Sequence, residues 1–561
     1  MMRQLIECVP NFSEGRDSAI LKQITDEIEK VDGVKLLDID AGYATNRTVV
    51  TFVGEPEPVI EAAFRAIRKA AEVIDMSKHS GEHPRMGATD VCPLIPIANI
   101  SMEECAAWAH KLGKRIGEQT NVPVYMYEAA ATRPERQNLA TIRSGEYEAL
   151  PRKMTLPEWT PDYGKAHFNA RAGATVIGAR DFLVAYNVNL NTTSVRRANS
   201  VAFDVREQGR ILREGDPING PIVNDENGEP VRIPGKCKAV KGIGWFIEEY
   251  GIAQVSMNLT NINISPLHMV FDECCKCAEH HGLRVTGSEL VGLVPKKVLT
   301  DAGKYFLEKQ RRSAGVSEEE LIDIAVKTMG LGEVSPFDPK KKIIEYQIED
   351  ATSSPLIQKN LREFASITAS ESPAPGGGSV AAYVGSLGIS LATMVANLSS
   401  HKKGWEDQWK TFSAVAEKGQ QLKDELLRMV DEDTRAFNGI MVAFGMPKNT
   451  PEEKIARTAQ IQAATRTAIE IPLKVMELCY ATLDIIEEMV IKGNPNSVTD
   501  AGVGVLCARA AVHGAFLNVK INSVGLKDAD FVEKTLKRAS DIIVQTDLRE
   551  KQILQLVNER M

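Results

Sequence analysis

The hydrophobic period of the chain changes once along its length, and this change limits the possible folds more than any other feature. Up to about residue 330, short apolar runs alternate with amphipathic segments such as residues 58–74, whose apolar side chains recur at a spacing near 3.6. From Asn360 onward, long helical periods follow one another and strand patterns are almost absent. Because a period of 2 indicates strands and one of 3.6 indicates helices, we predict an α/β part followed by an all-α part.

The α/β pattern begins twice, and this divides the first part of the chain in two. We predict two α/β sandwich subdomains, residues 1–180 and 181–330, each a sheet covered by helices. A charged segment with three prolines, residues 331–355, is predicted to be a linker, and residues 356–561 are predicted to form an α-helical bundle. We expect a ligand cleft between the two α/β subdomains.

Composition argues against two classes of protein. The net charge of -8 and the pI of about 5.8 argue against nucleic acid as a partner. Residues 372–400 contain no charged side chain, but prolines and glycines break the first part and the remainder is rich in Gly, Ala and Ser. We predict no membrane span and expect this helix to be buried in the bundle or in a dimer interface.

The nine cysteines predict reduced thiols rather than a disulfide framework, because their number is odd and their spacing shows no pairs. Together with the absence of a signal-peptide pattern, this leads us to expect a cytoplasmic protein. Cys274, Cys275 and Cys277, followed by His280 and His281, invite a metal site. Zinc sites usually use two separated pairs of ligands, whereas this segment reads as one helix, so we predict no metal.

A polar segment, SKHSGEHPRMGATDV at residues 77–91, interrupts the first α/β pattern. His79 and His83 have the spacing of two metal ligands on one helix face, but Gly81 and Pro84 exclude a helix there. Pro84 also restricts the backbone of His83 to extended conformations. The segment therefore predicts a loop that holds a histidine in a defined setting.

Such a histidine can take and return a proton near neutral pH. Asp38 or Asp40 at the end of a predicted strand, or the neighbouring Glu82, are the candidates to orient His83. The alternative is a polar surface loop whose histidines have no chemical role, and the spacing by itself leaves both open.

The helix predicted over LKDELLRMVDEDTRAFNGIMVAF carries a carboxylate among its apolar side chains. Asp433 falls four residues after Met429 and four before Phe437, on the apolar stripe, whereas Asp431 and Glu432 are predicted to lie off it. An inward carboxylate raises the free energy of the fold unless it is paired or functional.

Two interpretations of Asp433 follow. Burial raises the pKa of a carboxyl group towards the range useful for acid/base chemistry. The alternative is a structural salt bridge in the core, with Arg435 or Lys423 as the partner.

Two loops that precede helices in the second part are candidate ligand sites. In APGGGS, Ser379 is a plausible helix N-cap and the N–H groups of the first turn can bind an anion or a polar ring; the alternative is a tight turn for close helix packing. The candidate residues are Gly376, Gly377, Gly378 and Ser379. In GNPNSVTDAGVG, the candidates to read a heterocyclic ring are Asn494, Ser497 and Asp500.

Several motifs in both parts of the chain are similar to those of one enzyme family. ECVPNFSEG, NRTVVTFVG and GEHPRMGATDVCP resemble glutamate formimidoyltransferase, and SPAPGGGSVAA, VDEDTRAF and MPKNTPEEK resemble formimidoyltetrahydrofolate cyclodeaminase. Their order and the total length resemble the bifunctional formimidoyltransferase-cyclodeaminase family over essentially the whole chain.

The resemblance implies two consecutive reactions of histidine degradation. A formimino group passes from N-formimino-L-glutamate to N5 of tetrahydrofolate, and 5-formiminotetrahydrofolate then cyclises to 5,10-methenyltetrahydrofolate with release of ammonia. Tetrahydrofolate, with or without a polyglutamate tail, is implied as the cosubstrate, with no bound cofactor. A homo-oligomer built from dimers is implied as well.

The resemblance also implies roles for particular residues. His83 matches the acid/base of the transferase, Asp40 the carboxylate that orients it, and Asp433 the acid/base of the cyclodeaminase. A folate-binding segment matches residues 164–173, for which the alternative is a plain connection between subdomains. These residues are Gly164, Lys165, Ala166, His167, Phe168, Asn169, Ala170, Arg171, Ala172 and Gly173.

Two other functions stay open at this point. The helical part also resembles methenyltetrahydrofolate cyclohydrolases, so the chain could join the transferase to a cyclohydrolase. A folate-binding protein without catalytic activity is the second alternative, against which the intact His83 and Asp433 speak.

Overall fold

The structure is a computed structural model of the chain. It describes residues 4–42, 46–81, 84–216, 219–248, 250–348 and 356–561. The chain divides into two compact units. The α/β unit comprises Met1–Val298 and Met329–Ile348, and the helical unit comprises Leu299–Thr328 and Glu349–Met561. The predicted fold class, α/β followed by all-α, is confirmed.

The first sheet of the α/β unit consists, among the described residues, of seven strands in the order β1-β4-β2-β5-β7-β6, with β3 paired to β4. Strand β7 lies parallel to β5 and β6, and the other pairings are antiparallel. The strands are β1 (Leu5–Cys8), β2 (Asn11–Phe12), β3 (Val34–Gly42), β4 (Arg47–Gly54), β5 (Thr89–Ala98), β6 (Val124–Glu128) and β7 (Thr175–Ala179).

Helices cover both faces of this sheet. On one face pack α1 (Ser18–Glu29), α2 (Pro56–Val73) and α3 (Met102–Gln119), whose apolar side chains form one core with the strands. The helix predicted over residues 58–74 is thus confirmed as α2. On the other face, α4 (Leu139–Arg143) and α5 (Glu146–Lys153) pack through Ile142 and Leu150 onto Val91, Tyr125 and Tyr127.

The second sheet of the α/β unit is antiparallel, with the described strands in the order β11-β12-β8-β13. Its strands are β8 (Val184–Leu190), β11 (Val240–Ile247), β12 (Ile252–Leu259) and β13 (Val285–Val291). Helices α6 (Val195–Val205) and α7 (Leu267–His280) pack on it. The unit also contains the short strands β9 (Arg210–Ile211) and β10 (Arg232–Ile233), and the short helices α10 (Pro339–Lys342) and α11 (Ile344–Ile348).

Long helices build the helical unit. They are α12 (Leu361–Thr368), α13 (Gly377–Ser400), α14 (Trp409–Gly445), α15 (Pro451–Lys492), α16 (Val498–Ser523) and α17 (Ala529–Arg560), joined by α9 (Glu318–Met329) and most of α8 (Lys296–Lys309). One core cluster draws on α13 to α17. Helices α13 and α16 are long and apolar enough for a membrane span by composition, but 61% of the most apolar window of α13 is buried in protein. For the window that contains α16 the buried share is 44%, so packing in the bundle accounts for part of this apolar character.

The compact units end elsewhere than the predicted domains. Residues 299–328, predicted to belong to the second subdomain, pack with the helical unit: the Ala314 N–H donates to Ser413 Oγ at 2.9 Å. A Cβ on Gly315 would lie 2.2 Å from the Cβ of Ala416, so the loop after α8 touches the backbone of α14.

The first part of the predicted linker is structured. Residues 329–348 belong to the α/β unit, where the Ser288 N–H donates to Gly330 O at 3.1 Å and Ile343 and Ile344 are buried. The two isoleucines lie within a charged, proline-bearing segment, and the composition of that segment gave no indication that they are buried.

A buried carboxyl group in β1 makes a testable prediction. Glu7 is 3% exposed, and burial raises its pKa to about 7 against the opposing charge of Arg180. Since the folded state binds this proton more tightly than the unfolded chain, stability falls as pH rises from about 4.5 to about 7. Glu7→Gln removes the charge at constant size and should raise the free energy of unfolding at pH 8 by roughly 2–3 kcal/mol. The gain should fade by pH 5, as measured by urea denaturation; an equal gain at both pH values would contradict it.

Candidate active sites

A cavity of about 830 Å³ lies between the two sheets of the α/β unit. Strands β2, β4, β5 and β6 contribute to one side, and β11 and the residues around β8 and β12 to the other. The predicted cleft between the two subdomains is therefore confirmed. Pro84 lines this cavity and directly follows His83 in the chain, but His83 and Glu82 themselves lie outside the described residues.

The loop after Pro84 is held by charged contacts. Asp90 is 1% exposed, accepts the Met86 N–H at 3.0 Å and forms an ion pair with Arg143. Arg85 binds Glu146 at 2.8 Å and Glu148 at 2.7 Å. Both arginine contacts join the loop to the segment that contains α4 and α5, so the loop backbone is fixed on the side of the cavity.

His79, to which the sequence assigns no role, braces the same loop. Its Nε2 lies 2.9 Å from the carbonyl oxygen of Asn46, and its Nδ1 lies 3.3 Å from Nε of Arg85. A neutral ring with the proton on Nε2 satisfies both contacts, since it donates to the carbonyl and accepts from the guanidinium. Asn46 in turn donates from Nδ2 to Ser80 O at 3.0 Å. Both ring nitrogens of His79 thus contact neighbouring protein groups, and His79 helps to hold the loop.

Asp40 lies on β3 with an exposed side chain, paired across to Val49 of β4. Its charge acts to raise the pKa of Arg47, which lines the cavity and whose pKa burial lowers. The proposed contact between Asp40 and His83 involves a residue outside the described part, and so stays a prediction.

Residues 164–171 of the predicted folate-binding segment are exposed or half-buried, and Ala172 and Gly173 are buried just before β7. Lys165, His167 and Phe168 line a cavity of about 640 Å³ together with the C-terminal end of α3. This cavity is separate from the one that contains Pro84. The end of the segment reaches the histidine-bearing loop, because Gly173 bridges to Gly87. Folate contact stays a prediction for this segment, and the structure gives it room for a ligand.

A second candidate site lies in the helical unit, where α14 meets the start of α13. The Ser379 hydroxyl donates to Asp433 Oδ2 at 2.9 Å and lies 3.2 Å from Thr434 Oγ1. A cavity of about 230 Å³ opens beside the carboxylate. Residues from four stretches line it, among them Pro373, Ala374, Gly376, Gly377, Gly378, Asp433, Thr434, Phe437, Ala468, Asn518 and Asn522.

Gly378 lets the carboxylate approach the backbone of α13. A Cβ at this position would lie 2.1 Å from Asp433 Oδ1, which is far inside van der Waals contact. Gly378 of the predicted loop thus allows Asp433 to approach the backbone of α13 closely. The first turn of α13 faces this carboxylate, which belongs to the protein itself. An anion at this end of a helix interacts favourably with the helix dipole.

Burial and hydrogen bonding act in opposite directions on the pKa of Asp433. Burial raises its pKa, and hydrogen bonds from the side chain and backbone of Ser379 lower it in part. The salt-bridge alternative fails, because Arg435 pairs with Glu432 at 3.1 Å and Lys423 pairs with Asp424 at 2.9 Å. Asp433 is therefore a carboxyl group in a cavity, bonded to hydroxyl and amide donors.

The prediction that Asp431 lies off the buried side of its helix is wrong. Asp431 is 2% exposed and accepts the Leu356 N–H at 2.9 Å, while its Oδ2 is buried without a hydrogen-bond partner. Farther along the same helix, the apolar side chains of Met441 and Phe444 are exposed. Helix α14 packs against both α13 and α15, and the chain before α12 covers Asp431, so its buried arc is set by several neighbours.

Asn494, Ser497 and Asp500 do not lie near Asp433. The Asn494 N–H donates to Ser399 Oγ at 2.8 Å, at the C-terminal end of α13, whereas Asp433 lies at the N-terminal end. The 24 residues of α13 span about 36 Å. Within one chain, these three residues therefore lie too far from Asp433 to contact a ring bound beside it, and folate contact stays a prediction for them.

Two asparagines of α16 lie beside Asp433 instead. Asn518 and Asn522 line the cavity beside Asp433, with Nδ2 of Asn522 donating to Ala468 O at 2.7 Å. Their four-residue spacing on a largely apolar helix was a signal in the sequence, because amides at i and i+4 share one face. Their amide groups can read the donor and acceptor pattern of a heterocycle.

The cysteine-rich helix shows no arrangement for a metal. Cys274 and Cys277 are buried, with Cys274 Sγ 3.7 Å from Met257 Sδ, and His281 binds Asp204 at 2.7 Å. In the part of the chain that the structure describes, no three His, Cys, Asp or Glu side chains are grouped to hold a metal ion.

Three family models match the chain in sequence. "Formiminotransferase domain, N-terminal subdomain" matches residues 5–180, "Formiminotransferase domain" matches residues 185–349, and "Formiminotransferase-cyclodeaminase" matches residues 360–541.

Curated relatives cover both parts. The formimidoyltransferase-cyclodeaminase of Mus musculus is 43% identical over 97% of this chain and 96% of the relative. The glutamate formimidoyltransferase of Streptococcus pyogenes is 40% identical over 55% of this chain and 94% of the relative. The methenyltetrahydrofolate cyclohydrolase of Methylorubrum extorquens is 39% identical over 34% of this chain and 93% of the relative.

Gly378→Ala should abolish the ring closure that the sequence predicts for Asp433, because the new Cβ displaces the carboxylate from the cavity. Gly439→Ala, on the same helix as Asp433, is the matched control, because its Cβ would meet no atom within 4 Å. We expect at least a 100-fold loss of ammonia release for the first variant, a loss typical of a missing acid/base group, and less than 3-fold for the second. Equal rates in the two variants would show that the close approach is dispensable.

Proposed function

Because the chain belongs to the formimidoyltransferase-cyclodeaminase family, we propose that its two reactions occur at the two sites described above, one in each unit. The chain is a bifunctional folate enzyme of histidine degradation. It transfers the formimino group from N-formimino-L-glutamate to tetrahydrofolate and cyclises the product to 5,10-methenyltetrahydrofolate with release of ammonia. The single observation that carries the assignment of the second site is the Asp433 carboxyl group, raised in pKa and set beside a cavity.

At the helical site, ring closure needs two proton movements. N10 of the folate attacks the formimino carbon and loses a proton, and the departing nitrogen must gain one to leave as ammonia. A single carboxyl group whose pKa is raised by burial can do both. Ser379 holds that carboxyl in place, and the amides of Asn518 and Asn522 are placed to bind the pterin ring.

At the site between the two sheets, the amine N5 attacks the formimino carbon and glutamate departs. We assign the proton transfers to His83, which adjoins Pro84 at the cavity wall, with Asp40 as the group that orients it. Residues 164–173 are proposed to bind tetrahydrofolate, supported by the ligand-sized cavity at Lys165 and Phe168 and the bridge from Gly173 to the loop.

Substitution of each acid/base should separate the two reactions. His83→Ala should lose formimino transfer by about 10²–10⁴-fold and keep ring closure of added 5-formiminotetrahydrofolate. Asp433→Asn should do the reverse, so that 5-formiminotetrahydrofolate accumulates from formiminoglutamate. Ammonia and 5,10-methenyltetrahydrofolate are measured in parallel, with Glu432→Gln as the neighbouring control. An Asp433→Asn variant that releases ammonia at the wild-type rate would refute the assignment of Asp433 as the acid/base of ring closure.

The helical site has a second candidate activity, because the methenyltetrahydrofolate cyclohydrolase of Methylorubrum extorquens is 39% identical over this part. Both reactions pass through a tetrahedral carbon between N5 and N10 and differ in the leaving group. Full-length protein supplied with 5,10-methenyltetrahydrofolate tests this: hydrolysis that disappears in Asp433→Asn would support a cyclohydrolase side activity.

We also propose a homo-oligomer built from dimers, in the cytoplasm, with tetrahydrofolate as a cosubstrate rather than a bound cofactor. Nine free cysteines are consistent with a reducing compartment. Support for the dimer comes from α13 and α16. Within one chain, these two helices approach each other closely at Gly388 and Gly504. Both helices expose apolar side chains at helical spacing: Leu387, Met394 and Leu398 on α13, and Val503, Leu506, Leu517 and Ile521 on α16.

Charges on that face should dissociate the oligomer. Leu506→Glu combined with Leu517→Glu should lower the mass in solution, because the apolar side chains would face a partner subunit. Val544→Glu, on an exposed apolar position of α17, is the control and should leave the mass unchanged. Light scattering after size exclusion measures all three proteins. A wild-type monomer, or a double variant of wild-type mass, would contradict the proposed interface.

A further inference from the structure

The Ser379 hydroxyl has an oxygen neighbour on each of two adjacent side chains of α14. It lies 2.9 Å from Asp433 Oδ2 and 3.2 Å from Thr434 Oγ1. A hydroxyl carries one proton, and an ionised carboxylate can only accept hydrogen bonds. The proton of Ser379 is therefore donated to Asp433, and the proton of the second contact must come from Thr434. The three side chains form a string of hydrogen bonds that runs from Thr434 through Ser379 to the carboxylate.

The hydroxyl of Thr434 is not committed to its own helix. Thr393 and Thr465, on the neighbouring helices, each donate to the carbonyl oxygen four residues before them, at 2.8 and 2.7 Å. Among the contacts of the described residues, Thr434 has no bond of this kind, and its Oγ1 is paired with Ser379. The proton of Thr434 is thus available to the string.

The two hydroxyl groups of the string differ in exposure. Ser379 is 0% exposed, whereas Thr434 is half-buried and lines the cavity of about 230 Å³ together with Asp433. A ligand in this cavity can therefore contact Thr434 and Asp433 but not Ser379. The buried hydroxyl can exchange a proton with the ligand only through its two neighbours.

We propose that Thr434 is a catalytic residue of ring closure, and that its hydroxyl and that of Ser379 carry protons between the reacting nitrogens and Asp433 Oδ2. The proposal rests on the assignment of ring closure to this cavity. It adds a second group of the protein that contacts the reacting atoms. Because both donors of the string already point towards the carboxylate, a proton that enters at Thr434 can move inward while the side chains stay in place.

The inward transfer accompanies the formation of the new bond. The formimino group enters as an amidinium cation, and N10 attacks its carbon with a lone pair. As this bond forms, Thr434 Oγ1 takes the proton of N10, Thr434 passes its own proton to Ser379, and Ser379 passes its own to Asp433. Asp433 is then a neutral carboxyl group, and each hydroxyl again has one proton.

The outward transfer accompanies the departure of ammonia. Asp433 returns a proton to Ser379, Ser379 passes one to Thr434, and Thr434 passes one to the departing nitrogen. The bond between the carbon and this nitrogen breaks, its electron pair leaves with ammonia, and the positive charge remains on the 5,10-methenyl product. The carboxylate is regenerated, so the protons and electron pairs balance over the two transfers.

Thr434→Val and Thr434→Ser separate the hydroxyl from the packing of the side chain. Valine keeps the shape and removes the hydroxyl, so single-turnover ring closure of 5-formiminotetrahydrofolate should slow about 10- to 100-fold, with KM changed less than about 3-fold. Serine keeps the hydroxyl and loses a methyl group, so its rate should stay within about 3-fold of the wild-type rate. Equal rates in wild type and Thr434→Val, or equal losses in the two variants, would overturn the proposal.

Thr482→Val, on α15, is the matched control. Thr482 is 0% exposed and donates to Cys479 O at 2.6 Å, and it does not line the cavity. Its substitution measures the effect of removing a buried hydroxyl from the bundle and should leave the rate of ring closure unchanged. A loss equal to that of Thr434→Val would identify a structural effect and contradict the relay.

The dependence of the rate on deuterium gives a test of the wild-type protein itself. When several protons move in one step, the rate falls along a curve as the deuterium fraction of the solvent rises, whereas one moving proton gives a straight line. We expect a curve for single-turnover ring closure by the wild type and a straight line for Thr434→Val. A straight line for the wild type, or the same curve in both proteins, would refute the relay.

Asp433→Asn distinguishes failure of this proposal from failure of the assignment on which it rests. If Asp433→Asn closes the ring at the wild-type rate, the assignment of ring closure to this cavity is wrong and the relay falls with it. If Asp433→Asn loses ring closure while Thr434→Val retains the wild-type rate, the relay alone is wrong, and Asp433 exchanges both protons with the folate directly.

Discussion

A carboxylate inside an apolar helix bundle is tolerated only where donors reach it, and Asp433 meets that requirement at the first turn of α13. Ser379 donates from its hydroxyl, the backbone of the same residue adds a second bond, and Gly378 leaves the space that a side chain would occupy. The packing of α14 on α13 thus includes a close approach between a carboxyl group and a glycine backbone. The carboxyl group lies beside a cavity, and its burial raises its pKa against the lowering effect of the Ser379 hydrogen bonds, as a proton carrier requires.

The α/β unit also contains a buried carboxylate with a structural contact to its cavity. Asp90 forms an ion pair with Arg143 at the cavity wall and accepts a hydrogen bond from the backbone of the histidine-bearing loop. His79, Arg85 and the two carboxylates of α5 hold the same loop from the outside. In the α/β unit the buried carboxylate thus fixes a loop at the cavity, whereas in the helical unit the buried carboxylate itself faces the cavity.

Residue patterns predicted much of this arrangement because some signals are local. The period of apolar side chains gave α2 and the long helices of the bundle, and the glycine and proline in GEHPRMGATDVCP excluded a helix there. The position of Asp433 on the apolar face of its helix was predicted from its spacing to Met429 and Phe437. The same reasoning failed for Asp431, since the buried arc of α14 depends on α13, α15 and the chain before α12, none of which can be placed from the sequence of one helix.

By itself, the sequence determined the order of an α/β part and a helical part, the loop with His83, the carboxylate on α14 and the family to which they belong. These follow from residue types and short spacings, which act over a few residues of chain. Only the tertiary structure decided that Asn518 and Asn522, rather than Asn494, Ser497 and Asp500, lie beside Asp433, and that Arg47 and Arg143 share one cavity. Which end of a helix meets which neighbour depends on how long elements pack over some 36 Å, and that packing is a property of the whole core.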